Sequence, residues 1–280
     1  WQDLIDRQEH FGAVAPEAEI TVVIPLYRRW DFILGHVAGF CQDPWFHEQR
    51  VRLLYVIDDP TITTEVLGWC RGQLRDELLD VTVIALQRNS GFALACNNGV
   101  LAADTPEVCL LNSDVLPIQP GWLQPLFRTR LMVPEAMVAP LLLTDEGRIQ
   151  HAGMTAQPLG LGDLPACVHS LKGLDPQQLK ALSPDGLPYD VELLSGAALM
   201  FQQKRFLELG GFDRVFGRGD FEDLDFSLRW RQAGGRLQLV PSARLTHLER
   251  QSITHQQDPL TQWRGVLNAW QAKQLCPELA

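Results

Sequence analysis

Four short, nearly unbroken apolar runs mark the first 115 residues: ITVVIPL (20–26), the start of VRLLYVIDD (51–59), VTVIAL (81–86) and the start of EVCLLNSD (107–114). Runs of this length, rich in β-branched residues and without polar alternation, predict strands buried on both faces. Between them the apolar period lengthens. Residues 30–41 and 61–79 read as helices, the second capped by Thr61 or Thr63. NSGFALACNNGVLAA (89–103) reads as a loop feeding a helix, with Ser90 as N-cap. Strand–helix alternation of this kind predicts βαβ units and a mostly parallel sheet, an α/β fold. In open sheets of that type ligands bind beyond the carboxyl ends of the strands. Three of the four runs deliver polar groups to that edge: Asp58 and Asp59, Arg88 and Asn89, Asn112 and Asp114. A single aspartate after a strand is a turn former; three polar strand ends on one edge indicate a site.

The second half is less regular. Residues 119–131 read as a helix with Pro120 near its start, and residues 135–143 and 147–153 as strands. Residues 154–190 are rich in Gly, Pro and Leu with no clean period, and read as a long excursion. VELLSGAALMF (191–201) returns to strand character, followed by a short helix at 203–209 and an acidic helix at 221–233. RLQLVPSARLTHLE (236–249) reads as a strand, a proline break and a second short strand. Leu260, Trp263, Leu267 and Trp270 recur at helical spacing and predict an amphipathic helix docked on its own domain. In FEDLDFSLRW (221–230) the carboxylates Glu222, Asp223 and Asp225 open an apolar segment. Acidic residues suit a helix N-terminus, and Asp220 as N-cap with Asp223 three residues on would form an imperfect capping box.

At 46% hydrophobic and 21% charged residues, the chain has the composition of a globular domain with a sizeable core. A net charge of -10 opposes nucleic-acid binding, and no Lys/Arg cluster offsets it. A phosphorylated ligand would more readily be held through a divalent cation. The six cysteines form no C-x-x-C pair or zinc spacing, which fits a reduced, cytoplasmic setting. No apolar run approaches the roughly 20 residues of a membrane span. The chain opens on Trp1 rather than Met, as a piece of a longer protein would.

The order TVVIPLY, VIDD, RNSGFALACNNG, LLNSDV, GRIQHAG, LLSGAALMFQQKRFLELGGFD, FEDLDFSLRWRQAGG, PSARLTHLE resembles the inverting GT-A glycosyltransferases of family 2, in particular the bacterial rhamnosyl- and galactofuranosyltransferase-like group. The resemblance runs from about Ile20 to Glu249. It implies a Rossmann-like, mostly parallel central sheet flanked by helices, a smaller acceptor-side sheet and a C-terminal helix. It also implies a nucleotide-sugar donor, UDP- or dTDP-linked, and a saccharide or glycolipid acceptor. Mn²⁺ or Mg²⁺ would be held by Asp114 and His247, with Asn112-Ser113-Asp114 standing where the family carries a D-x-D-like motif. Asp58 matches the nucleobase-binding aspartate, with Asp59 beside it and Pro60 departing from the usual small residue. Pro25 and Tyr27 match the loop framing the base, and Arg88 a phosphate contact. Asn89, Gly91 and Asn97 match structural and donor-lining positions, and Gly196 lies on the strand whose small residues admit the donor sugar. Asp223 matches the general base, Glu222 its orienting or acceptor-holding neighbour. Asp225 is assigned to the acceptor side or to a structural pairing with an arginine. Trp122 is a candidate sugar-stacking face, whereas Trp230 reads as core. FGRGD (216–220), with its two glycines, reads as a mobile lip over the site or a plain loop.

One domain over 1–280 is expected, with a nucleotide-sugar-binding half (20–115), an acceptor half (116–250) and a helical extension (251–280). At most peripheral contact with the inner face of a membrane is implied. Two other classes stay open: a catalytically lapsed domain that binds glycans or partners, and a sugar-phosphate nucleotidyltransferase. The latter needs a glycine-rich basic loop after the first strand, and PLYRRWD has the arginines without the glycines.

Overall fold

A computed structural model of the chain describes residues 4–275 apart from 49, 75–78, 160–163, 218 and 250–258. In chain order the strands are β1 (Ile5–Gly12), β2 (Ile20–Leu26), β3 (Val51–Ile57), β4 (Asp80–Leu86), β5 (Glu107–Leu111), β6 (Val115–Pro117), β7 (Ala136–Leu143), β8 (Ile149–His151), β9 (Met154–Leu159), β10 (Leu164–His169), β11 (Tyr189–Asp190), β12 (Ala198–Gln202) and β13 (Arg236–His247). The α-helices are α1 (Phe32–Phe40), α2 (Pro44–His47), α3 (Thr63–Gln73), α4 (Phe92–Ala102), α5 (Leu123–Met132), α6 (Gln203–Glu208), α7 (Glu222–Gln232) and α8 (Pro259–Leu275).

Eleven strands form one sheet, ordered β1-β4-β3-β2-β5-β12-β7-β13-β11, with β6 paired to β13 and β8 to β7. The four apolar runs are its parallel centre, β4-β3-β2-β5. Their unalternating sequences are explained by burial on both sides. Val22, Ile24, Leu53, Tyr55 and Ile57 face a core covered by α1, α3 and α5. Val23, Leu54 and Val56 face a core covered by α4, α6 and α7. The chain runs outward from β2 through β3 to β4, then crosses to β5 on the other side of β2. That reversal opens a crevice at the carboxyl ends of β2 and β5.

Several elements differ from the sequence reading. β1 was not foreseen; it is an antiparallel edge strand on β4 with mostly exposed side chains, so its apolar signal is weak. The excursion at 154–190 contains the β9–β10 hairpin, a separate two-stranded sheet. Residues 236–247 are one strand; Pro241 coincides with a register shift between Val240 and Arg244, a bulge rather than a break. None of the three proposed side-chain caps forms. α4 starts after Gly91, whose φ is 89°, and Ser90 bonds elsewhere. α7 starts after Phe221, not Asp220. The turn after β3 is capped by Asp59, which accepts from Thr61 N–H at 3.1 Å. The C-terminal helix is present, but the face it buries holds Asn268, Ala269 and Ala272, while Trp263, Leu267 and Trp270 are exposed. Residues 75–78, Arg218 and Cys276 lie outside the described residues, as does the side chain of Leu260.

Candidate active site

The site begins at the end of β3. Asp58 is buried at 4% exposure, and its Oδ1 accepts from Ser90 N–H (2.6 Å) and Ser90 Oγ–H (2.7 Å). Its Oδ2 accepts from Gly91 N–H at 2.9 Å. These bonds favour the carboxylate, yet burial outweighs them and raises its pKa above the ordinary value. Asn89 Oδ1 also accepts from Gly91 N–H, at 3.1 Å, so the backbone at Gly91 is clamped from two sides. Arg88 is exposed on this loop. Pro25 and Tyr27 flank the adjacent end of β2, where Arg28 takes a positive φ of 58° and lies 5.0 Å over the Tyr27 ring.

Phe92 carries the path onward. A Cβ on Gly196 would lie 3.6 Å from the Phe92 ring, and one on Gly219 would lie 3.9 Å from Phe92 Cβ. At Gly196 the chain meets α7: Gly196 N–H donates to Asp223 Oδ2 at 2.9 Å, while Leu224 N–H donates to Asp223 Oδ1 at 2.8 Å. A Cβ on Gly196 would sit 3.4 Å from Asp223 Cβ. That is ordinary van der Waals contact, so the hydrogen bonds rather than the missing side chain hold the carboxylate here. Glu222 beside it is buried, and its Oε2 has no partner among the described residues. Burial raises the pKa of both, and the neighbouring Asp223 adds to the rise at Glu222.

The third side is built from β5, β6 and β13. Asn112 N–H donates to Ala197 O at 2.8 Å, next to Gly196. Leu248 N–H donates to Asp114 O at 2.9 Å, and Val115 pairs with His247 across the β6–β13 ladder. This register puts His247 Nε2 3.4 Å from Asp114 Oδ1, with both residues buried. Ser113, between Asn112 and Asp114, is buried as well. Two ligands each about 2.1 Å from one ion lie about 3.0–3.4 Å apart when roughly cis, so the spacing fits a shared cation. Asn112 Oδ1 and His247 Nδ1 are buried without partners among the described residues. Among the described residues no group of three or more His, Cys, Asp or Glu forms a fuller metal shell. Two protein ligands suit a hard divalent cation that takes its other ligands from phosphate oxygens and water.

One sequence expectation, Trp122, is corrected here, and Asn97 and Asp225 take the structural alternatives already open to them. Trp122 is only 1% exposed and packs against Phe40 in the core under α1, so it offers no face to a sugar. Asn97 is fully buried and its amide is spent on both backbone groups of Phe212, at 2.8 and 2.9 Å, leaving a structural role. Asp225 pairs with Arg229 (Nε–Oδ2 2.9 Å), which also donates to Leu209 O and Gly211 O. It ties α7 to the preceding turn rather than reaching outward. Asp59 is engaged in its own turn, as described. Trp230 is a core residue, fully buried, its Nε1–H donating to Glu135 O.

Some residues near the site were not foreseen. His151 Nδ1 lies 3.2 Å from His169 Nδ1 on the hairpin. Burial holds His151 well below the ordinary histidine pKa and His169 at about 4, so the pair is neutral at pH 7. Lys172 pairs with Glu249 at 2.7 Å, just beyond His247. GRIQHAG contains His151, the only sequence signal for this group; His169 and Lys172 fall in the stretch without periodicity.

Residues 21–131 match the model of Glycosyl transferase family 2. Over those residues the chain carries a glycosyltransferase family 2 domain. It is 25% identical over 243 residues to a putative polypeptide N-acetylgalactosaminyltransferase 13 of Drosophila melanogaster, covering 84% of this chain and 42% of that protein. A pre-mycofactocin glycosyltransferase of Mycobacterium tuberculosis is 29% identical over 175 residues, 62% of this chain and 33% of that protein. The chain therefore spans less than half the length of these curated relatives. The crystal structure of GalNAc-T7 with UDP, GalNAc and Mn²⁺ superposes with a TM-score of 0.63 at 17% identity, covering 88% of this chain and 43% of that one. The family 2 domain thus has the GT-A fold.

Proposed function

We propose that the chain is a metal-dependent inverting glycosyltransferase. It moves a sugar from a nucleotide-diphosphate donor, UDP- or dTDP-linked, to a hydroxyl of a saccharide or glycolipid acceptor, in bacterial surface-polysaccharide synthesis. The observation that carries this reading is the Asp223 carboxylate, pinned by Gly196 N–H and Leu224 N–H next to the Asn112–Ala197 bond, with Asp58 at the end of β3 and the Asp114–His247 pair just beyond Asn112. Asp223 takes the proton of the acceptor hydroxyl as that oxygen attacks the anomeric carbon, opposite the departing diphosphate. The two N–H donors fix its orientation, so little reorganisation accompanies the transfer. Glu222, its pKa raised by burial, holds the acceptor or orients Asp223. Asp58 and the Tyr27 turn receive the base. Asp114 and His247 would hold Mn²⁺ or Mg²⁺, whose charge offsets that of the leaving diphosphate. The Mn²⁺ and UDP present with GalNAc-T7 support this assignment.

Calorimetric titration of UDP, dTDP and GDP, with Mn²⁺ and with EDTA, tests it. Metal-dependent binding of one nucleotide, abolished by Asp114→Ala, is expected. Binding of none under either condition contradicts the transferase reading and leaves the lapsed, glycan-binding domain in its place.

A further inference from the structure

The backbone leading into α7 is unusual. Gly217, Gly219, Asp220 and Phe221 all have positive φ, at 59°, 130°, 74° and 76°. Asp220 and Phe221 are adjacent, are not glycines, and occupy a left-handed region that is strained for an L-residue. No side chain caps the helix that follows. Such a turn persists only where its surroundings over-determine it.

The surroundings are supplied by α8. Asn268 is buried at 6% exposure. Its Nδ2 donates to Phe216 O at 3.0 Å, Gly219 O at 2.8 Å and Asp220 O at 3.1 Å. A primary amide has two hydrogens, so one is shared between carbonyls. One turn on, Ala272 is fully buried in a cluster with Phe216 and with Leu224 and Leu228 of α7. The same helix packs on β10. α8 therefore grips the turn through hydrogen bonds and α7 through apolar contact.

We propose that Asn268 is a positioning residue: its amide holds the strained turn before α7, and thereby sets the Asp223 carboxylate where the acceptor hydroxyl is deprotonated. The inference rests on Asp223 being the base. It assigns part of the catalytic geometry to a helix well outside residues 21–131.

The test uses Asn268→Leu in the full chain, a change close in volume that removes both donors. Hydrogen exchange at the amides of Gly219–Asp225 should accelerate at least about tenfold. Nucleotide release from UDP- and dTDP-hexoses with Mn²⁺ should show kcat lower by about 10–100-fold, the scale of a small misplacement. The donor KM and UDP affinity should stay within about twofold. If the leucine variant does not fold, Asn268→Ser, which keeps one donor and disturbs packing differently, should still speed exchange at Gly219–Asp225 and lower kcat by about two- to tenfold with donor KM unchanged; wild-type exchange and kcat in that variant would overturn the inference. In an Asp223→Asn background, adding Asn268→Leu should not lower the residual rate further, because the two act as a unit. Unchanged exchange in this segment, unchanged kcat in a folded variant, or additive losses would overturn the inference. Full turnover of Asn268→Leu while Asp223→Asn is inactive rejects this inference alone. Full turnover of Asp223→Asn rejects the base assignment and this inference with it.

Discussion

At Asp223 two opposed effects meet on one carboxyl group. Two backbone N–H bonds favour the charged form and burial disfavours it; burial is the larger, so the pKa lies above the ordinary carboxylate value. A base must be unprotonated, so turnover should fall as pH drops through a midpoint above 3.8. Asp223→Asn should lower kcat by about 10²–10⁴-fold and leave UDP affinity in Mn²⁺ unchanged. A pH–rate profile and a titration check both; an asparagine variant with wild-type turnover would falsify the assignment. Glu222 has a different consequence. Its folded pKa is raised well above 4.5 by burial and then by Asp223. The stability its neutral form provides is complete below its unfolded pKa and is lost as pH rises through the folded value. Glu222→Gln keeps the neutral shape and escapes that loss. The variant should therefore have a higher Tm than the parent at pH 8, with a much smaller difference at pH 5, as scanning calorimetry at the two pH values would record. An equal shift at both would contradict the burial argument. Stability gained at the expense of activity is the usual sign of a strained functional residue.

At the scale of elements, α4 lies close on the sheet because of one glycine. A Cβ on Gly99 would come within 2.3 Å of Val23 Cγ1 and 2.9 Å of Val56 Cγ2. Both valines belong to buried central strands, so neither can withdraw to solvent. Gly99→Ala should destabilise the fold by about 1–3 kcal/mol through overpacking, despite alanine's better helix propensity. Urea unfolding measures this, and a gain in stability would show that α4 can shift. Elements of this kind were readable in sequence because both faces of β2, β3 and β5 are buried, which leaves continuous apolar runs. β1 was not, since an edge strand with exposed side chains has no such run. The β9–β10 hairpin was hidden for a related reason: it lies outside the main sheet and many of its side chains are only half-buried. The acidic start of α7 was readable as a helix beginning, but not its cap. The local code favoured Asp220, whereas a tertiary contact from Asn268, about fifty residues later, fixes the turn. Trp122 was misread because an aromatic's burial is decided by α1 packing over it, a long-range fact. The helical period of α8 was correct and its buried face was not, because Asn268 meets the turn before α7 and Ala272 meets α7, while the tryptophans stay exposed.

Across the whole molecule, the two halves expected from sequence share a single sheet: β12 of the second half pairs with β5 of the first and also with β7. A buried ion pair crosses the same boundary. Arg130 of α5 donates to Glu107 of β5 through Nε and one terminal nitrogen, both at 3.0 Å. Its other nitrogen reaches Val133 O, Pro134 O and Ala136 O, the entry to β7. We infer from this continuity that the halves unfold together. Removing one partner of such a pair leaves the other charge buried and uncompensated, at a cost of about 3–5 kcal/mol. Three carbonyls also lose their donor. For a chain of this length an unfolding entropy of about 0.6 kcal/mol/K converts that cost into a Tm lower by roughly 5–9 °C. Arg130→Met should therefore shift one calorimetric transition downward as a whole. A first transition limited to one half, with the other melting at the parent temperature, would show that the sheet does not couple them. The distinction bears on catalysis, because Asp58 and Asp114 belong to one half and Asp223 and His247 to the other. Only a sheet that holds both halves in register keeps the 3.4 Å spacing of Asp114 and His247 while Asp223 stays on Gly196.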